Sequence, residues 1–177
     1  MTSEITIREA LKSEHLAVGQ LMIEVYSQLE SFPSKKEMPE YYDMLSKVGT
    51  LTENERSKIV VALSSAGELW GAVVYFSNMQ DYSSGGPDFD IANASGIRLL
   101  AVDPTSRGMG VGKSLTNACI KLALDNKPKK IFLHSTKLVK VTWAMYEKMG
   151  FERSTYLDFN LHRLSIYGFR LAIEDNA

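Results

Sequence analysis

Residues 3–9 alternate polar and apolar side chains, with Ile5 and Ile7 on one face, and predict a strand. Ser13 then precedes Glu14 as a candidate helix N-cap with an acid in the first turn. Val18, Met22, Val25 and Leu29 follow at spacings of four, three and four, one stripe of an amphipathic helix. Pro33 ends that helix by disfavouring helical backbone at the residue before it. Pro39 opens a second, shorter helix to about residue 48, closed by Gly49. Two strand-like runs, 58–64 and 69–76, flank Ser65-Ala66-Gly67-Glu68 and read as an antiparallel hairpin.

A Gly/Ser/Asp-rich loop occupies 77–94, and loops of that length inside a compact domain are functional or disordered. Residues 97–102 are apolar except for Arg98, which predicts a central strand. A helix runs from Gly110 to about Leu124 on the stripe Val111, Leu115, Ala118 and Leu122, with Cys119 as a small core residue. Residues 131–133 form a short strand. Leu138, Val141, Met145 and Met149 mark another helix, stopped by Gly150. Residues 151–159 and 165–173 are two closing strands. The order β-α-α-β-β-β-α-β-α-β-β is a mixed α/β (α+β) pattern, neither a strict βα alternation nor an all-β sandwich. No repeat, low-complexity tract or linker interrupts it, so residues 1–177 read as a single domain.

Composition adds limits. A chain of 177 residues buries ~70% of its unfolded surface and needs no disulfide or metal to hold a core. Its one cysteine, Cys119, rules out an intramolecular disulfide and argues against a Cys-based zinc site, so no metal is expected. Apolar residues at 45% and charged residues at 23% are those of a globular domain. No signal-like N-terminus or 18-residue apolar run is present, so a cytoplasmic protein with no membrane partner is expected. Residues 1–106 carry 8 Lys/Arg against 15 Asp/Glu, whereas residues 107–148 carry 9 against 2. With a net charge of −1 the chain is a poor nucleic-acid binder. The basic middle segment fits an anionic small ligand, or simply solvated helix faces.

The chemistry concentrates where the central strand passes through Asp103-Pro104-Thr105-Ser106-Arg107-Gly108-Met109-Gly110-Val111-Gly112 into a helix. The first N–H groups of a helix lack acceptors, the helix dipole adds positive potential, and glycines allow close backbone approach. Arg107 and Lys113 reinforce the sign, so the segment suits a phosphate. Gly112-Lys113-Ser114 suggests a P-loop, but its first glycine would fall at Arg107. A dinucleotide fingerprint starting at Gly108 or Gly110 ends on Lys113 or Leu115. The pattern that fits is Arg107-x-x-Gly110-x-Gly112 after the strand Leu99-Leu100-Ala101-Val102, and it resembles motif A of the GNAT superfamily of N-acetyltransferases. Downstream, Ala144-Met145-Tyr146-Glu147-Lys148-Met149-Gly150-Phe151 is similar to that family's motif B. The resemblance covers nearly the whole chain.

The resemblance implies a GNAT-like acyl-CoA N-acyltransferase fold. Its mixed, mostly antiparallel sheet would be splayed between strands 4 and 5, with helices on both faces. It implies direct transfer of the acetyl group of acetyl-CoA to a primary amine of a small molecule or peptide. Arg107, Gly108, Met109, Gly110, Val111 and Gly112 would cradle the pyrophosphate through backbone N–H groups, with Lys113 beside them. Leu100, Ala101 and Val102 would pair through their backbone with the pantetheine arm. Tyr146 matches the family's tyrosine near the thioester sulfur, a general acid toward the departing thiolate. Such a role suits a phenol of pKa ~10 facing a thiol of ~8.5. Backbone N–H groups of the central strand could polarise the thioester carbonyl. Family members often carry Asn where this chain has Val139. Lys137 and Lys140 could reach the 3′-phosphate or form a solvated face. His134, at a strand end, is a candidate proton relay or a merely hydrogen-bonded side chain.

Amine acetylation also needs a proton acceptor, directly or through water. The candidates are Glu30, Asp88, Asp90 and a water chain, and the sequence does not choose among them. The family usually recognises its acceptor with the first two helices and the loop before the central strand. Here these hold Tyr26, Glu30, Phe32, Glu37, Glu40, Tyr41, Tyr42, Asp43, Asp81 and Tyr82. Acidic and aromatic residues together suit a cationic amine. Many family members dimerise, which leaves a homodimer open. A catalytically silent acyl-CoA-binding module is the competing reading, since it would keep motif A and not need Tyr146.

Overall fold

The computed structural model describes residues 4–82, 93–136 and 140–173. Strand β1 (Thr6–Glu9) leads into helices α1 (His15–Ser27) and α2 (Pro39–Ser46). Strands β2 (Ser57–Leu63), β3 (Leu69–Phe76) and β4 (Ala94–Val102) follow, then α3 (Val111–Asn126), β5 (Lys130–Thr136) and α4 (Lys140–Lys148). The chain ends in β6 (Glu152–Arg153), β7 (Phe159–Leu161) and β8 (Leu164–Ala172). The sheet order is β1-β2-β3-β4-β5-β8-β6, with β7 also on β8. Every described pairing is antiparallel except β4 with β5.

The apolar runs of β2 and β3 follow from burial on both faces. Ile59, Val61, Ala72, Val74 and Phe76 pack against α1 and α2, together with Val18, Met22, Val25 and Leu45. The alternate residues Val60, Ala62, Val73 and Tyr75 pack on the other face with Val111, Leu115 and Cys119 of α3 and Tyr146 of α4. Ile5 and Ile7 share that second face, as their alternation predicts. The 58–64 and 69–76 runs form the expected hairpin, and α3 begins at the expected glycine, Gly110.

Several local expectations are corrected. Ser13 does not cap α1: it lies in a 3-10 turn over Lys12–Glu14, where Glu14 accepts from Leu11 N at 2.8 Å and pairs with Arg8 at 2.7 Å. α1 ends at Ser27, well before Pro33, so Leu29 falls beyond it. Gly49 does not close α2, which stops at Ser46 and continues as a 3-10 segment, Val48–Thr52. The buried stripe of α3 is Val111, Leu115, Cys119 and Ala123, a spacing of four that turns Ala118 and Leu122 to the margin. Val141 is 83% exposed, and Tyr146 is the buried residue of α4 instead. The 151–159 run breaks into β6 and β7 around a 3-10 turn, Thr155–Leu157. Leu138 lies outside the described residues, as does most of the 77–94 loop.

The parallel pairing of β4 with β5 runs from Ala94↔Lys130 to Ile97↔Leu133 and stops there. β4 continues to Val102 and β5 to Thr136, so the two strands fork. The expected splay between the fourth and fifth strands is this fork.

Candidate active site

On β4, Ala72 faces Ala101 and Val74 faces Arg98, so Val73 stands opposite two residues, Leu99 and Leu100. This is a β-bulge, and Leu99 adopts φ 61°, a left-handed conformation uncommon for a branched side chain. The bulge changes which residues face which helices. Ile97 packs toward α3, yet Leu99 and Ala101 pack toward α1, while Leu100 and Val102 lie on the α3 side. The Tyr26 hydroxyl of α1 donates to the Leu100 carbonyl at 2.6 Å and fixes the strand at the bulge. Burial holds the Tyr26 pKa well up, so it remains the donor.

The fork opens into a cleft of about 1070 Å³. At one end the chain passes through Arg107, Gly108, Gly110, Val111, Gly112 and Lys113. The first hydrogen bond of α3 runs from Ser114 N to Gly110 O at 3.0 Å, so the N–H groups of Val111, Gly112 and Lys113 have no acceptor within the helix. Those amides and the dipole of a 16-residue helix lie at this end of the cleft. Gly108 and Gly110 both have φ 81°, which their missing side chains permit, and a Cβ on either would meet nothing within 4 Å. The anion cradle expected from the sequence falls on this segment. Most of the charge of the basic middle segment does not contribute: of its described Lys and Arg side chains, Arg107 and Lys113 alone line the cleft.

Of the remaining expected positions, Leu100 and Val102 line the cleft. Ala101 is buried in the core on the α1 side, so only its backbone could serve a ligand. Met109 does not line the cleft and is 39% exposed.

Tyr146 is 4% exposed, with Phe151 and Phe169 at ring distances of 5.7 and 6.1 Å. It lines the cleft, and among the described residues its hydroxyl has no hydrogen-bond partner. Burial is the main cause pushing its pKa up, helped by Tyr82 nearby, so the phenol stays protonated.

The other end of the cleft is built from side chains. Tyr26 stacks on Phe32 at 5.9 Å, and Phe32 meets Tyr41 at 6.0 Å. Tyr82 carries the Arg98 guanidinium over its ring at 5.6 Å, and its backbone carbonyl accepts from Arg98 at 2.8 Å. Phe159, Leu161, Leu164 and Ile166 of β7 and β8 complete this end; the sequence reading missed them because it ran one strand through 151–159. His134 stands between Tyr82 and the Leu157 carbonyl.

The acidic residues expected here lie elsewhere. Glu37 is paired with Arg163, Asp43 with Lys47 at 3.1 Å and Asp81 with Arg56 at 3.0 Å. Glu30 and Glu40 are exposed, and no carboxylate lines the cleft among the described residues. Asp88, Asp90, Lys137 and Val139 lie outside the described residues, as does the side chain of Lys140. Among the described residues no helix is long and apolar enough to cross a membrane, and no group of three or more His, Cys, Asp or Glu could hold a metal ion.

The family model described as Acetyltransferase (GNAT) family matches residues 21–151. No curated protein matches the chain. Among solved structures, a GNAT-family acetyltransferase from Staphylococcus aureus Mu50 superposes with a TM-score of 0.74 at 14% identity, over 97% of this chain and 100% of that one. The histone acetyltransferase HPA2 and related acetyltransferase from Corynebacterium glutamicum gives 0.72 at 15% identity, over 100% of both chains. The yncA protein of Salmonella typhimurium, solved with its cofactor acetyl-CoA, gives 0.67 at 15% identity, over 99% and 97%. At these identities the likeness to the solved structures is one of fold.

Proposed function

The chain belongs to the GNAT family of acetyltransferases, and on that premise we propose that it carries the acetyl group of acetyl-CoA to a primary amine of a small molecule or peptide. One observation carries the reading: the first turn of α3, with its N–H groups lacking helical acceptors, and Tyr146 line the same forked cleft. The residues present fit such a cosubstrate. The N–H run, Arg107 and Lys113 suit a pyrophosphate, and the open space around Gly108 and Gly110 admits it closely. The diverging strands β4 and β5 leave backbone groups past Ile97 without a neighbouring strand on that side, which suits an extended amide-bearing arm. When bound, acetyl-CoA supplies an activated thioester carbonyl.

The residues of this chain then have separate tasks. β4 beyond the bulge orients the arm, Tyr26 holding the Leu100 carbonyl in place. Tyr146, kept protonated by burial, gives its proton to the departing thiolate. The amine attacks directly in a ternary complex: Cys119 is buried in the core away from the cleft, with its thiol pushed well up by burial, and is unsuited to an acyl-enzyme. The aromatic end of the cleft receives the acceptor. A preference for a cationic amine would rest there on cation–π contact with Tyr26, Phe32 and Tyr41, since no carboxylate lines the cleft among the described residues.

The test is thermal unfolding with acetyl-CoA, CoA or Mg-ATP added separately. A ligand at 100 times its Kd adds ~2.7 kcal/mol, which at ~2–4 °C per kcal/mol moves Tm by several degrees. A shift with acetyl-CoA and none with Mg-ATP is expected; a shift with Mg-ATP alone would refute the reading.

A further inference from the structure

Resting on that reading and deepening it, we propose that Tyr82 and His134 form a two-step outlet for the acceptor's proton: Tyr82 Oη receives it while passing its own proton to His134 Nδ1. His134 directly follows Leu133, the last β5 residue paired with β4, and so stands where the strands part. Its ring faces Tyr82 and Phe159, at ring distances of 5.6 and 5.3 Å. Tyr146 reaches the same cleft from α4, on the opposite face of the sheet. Proton donor and proton acceptor thus approach the fork from two sides.

The hydrogen bonds fix a direction. His134 Nε2 lies 2.9 Å from the Leu157 carbonyl oxygen, which can only accept, so Nε2 carries the hydrogen. In the neutral ring Nδ1 is then the acceptor, and Tyr82 Oη, 2.7 Å away, is the donor. The Ile97 carbonyl, 3.5 Å from Oη, is too distant to compete. With its one proton committed to histidine, Tyr82 offers the cleft only lone pairs. It can accept from an amine and cannot donate to one.

Elimination favours the same pair. Among the described residues lining the cleft there is no carboxylate and no imidazole besides His134, the Tyr26 hydroxyl is committed to Leu100, and Arg98, Arg107 and Lys113 are cations; the other polar side-chain groups there are hydroxyls, which have no basicity of their own at neutral pH. Burial is the main cause holding the His134 pKa down at about 4; Arg98 and Arg153 facing it act the same way, while the Leu157 carbonyl and Asp158 oppose them. The imidazole is therefore neutral and able to accept at physiological pH. A weak base suffices, because the amine's N–H becomes steeply more acidic as its lone pair enters the new C–N bond.

The step balances. The amine nitrogen bonds to the carbonyl carbon, its proton moves to Tyr82 Oη, and the phenol's proton moves to Nδ1. The C–S bond breaks, and the thiolate takes the Tyr146 proton. An amide, a thiol, an imidazolium and a phenolate result, and solvent returns the proton from His134 to Tyr146.

The experiment compares wild type, Tyr82→Phe and His134→Gln. Nitrogen-15 NMR of the histidines at about pH 5.5 should show a neutral Nε2–H ring that is absent from His134→Gln, with its Nδ1 signal displaced in Tyr82→Phe. The opposite tautomer overturns the relay. Turnover is read with acetyl-CoA and a fixed amine set: spermidine, tyramine, phenylalanine and a tripeptide with a free N-terminus. Both variants should lose ~100-fold or more in kcat, keep the acetyl-CoA KM within about threefold, and show a kcat that climbs more steeply with pH than wild type as solvent base takes over. Wild-type kcat values in both variants, with the acetyl-CoA thermal shift intact, overturn the relay alone. No acetyl-CoA shift in wild type overturns the parent reading, and the relay falls with it.

Discussion

The two ends of the cleft recognise in different currencies. At the α3 end the protein offers backbone: the first N–H groups of α3, two left-handed glycines and a helix dipole. At the other end it offers side chains drawn from α1, the α1–α2 connection, α2, β5 and the β7–β8 hairpin. A backbone site tolerates sequence drift so long as chain geometry is kept, whereas a side-chain site changes with each substitution. An enzyme with one fixed substrate and one variable one has reason to divide them in this way.

Removing the Tyr146 hydroxyl is the severest test of the division, since the proposed function puts it at the reacting atoms and at neither recognition end. Tyr146→Phe should lower kcat ~100-fold or more while the acetyl-CoA thermal shift stays within about 1 °C. Turnover preserved in that variant would remove the acid assigned to the thiolate. At the backbone end, Gly110→Ala must force a methyl-bearing residue to φ 81°. Left-handed backbone costs roughly 1–2 kcal/mol, so Tm should fall by about 2–8 °C with acetyl-CoA binding weakened as well. An unchanged melting curve would mean that the loop does not need its glycine.

The side-chain end should reveal itself through pH. A histidine in the unfolded chain titrates near ~6.5, whereas folded His134 does so at about 4. Between those values the unfolded state holds the extra proton, so stability rises with pH across that window and is lost as pH falls through it. Tm measured from about pH 7 to about pH 4 should therefore drop less steeply for His134→Gln than for wild type. Equal slopes would place the titration elsewhere. The smallest effect belongs to Arg107→Ala. Exposed and acting by charge beside a helix N-terminus, it should weaken acetyl-CoA binding only about two- to fivefold at low salt, and less at high salt. A loss that ignores salt would contradict a purely electrostatic role.

The same division explains what the sequence disclosed. The glycine spacing at 108, 110 and 112 is local, so the loop at the start of α3 was legible, as was the β2–β3 hairpin, while the splay between strands 4 and 5 came through the family resemblance. The meeting of Tyr82 with His134 across 52 positions was not, because no short-range pattern encodes it. Charge misled for a related reason: Glu37 and Asp81 sit in the expected segments, but Arg163 and Arg56, distant in sequence, claim them. Val141 fitted a helical stripe by spacing, yet α4 buries Tyr146 instead, a choice made by Phe151 and Phe169 against it. The bulge left no mark at all, since Leu99 is not a residue that advertises left-handed backbone.

That bulge works as a phase shift in the alternation of β4. Before it, odd-numbered Ile97 faces α3; after it, odd-numbered Leu99 and Ala101 face α1. Deleting one residue at this point would exchange the two faces for everything downstream, sending Leu100 and Val102 to the α1 side in a single event, whereas no single substitution could do so. For the strand's far half, residue count is a stricter inheritance than residue identity.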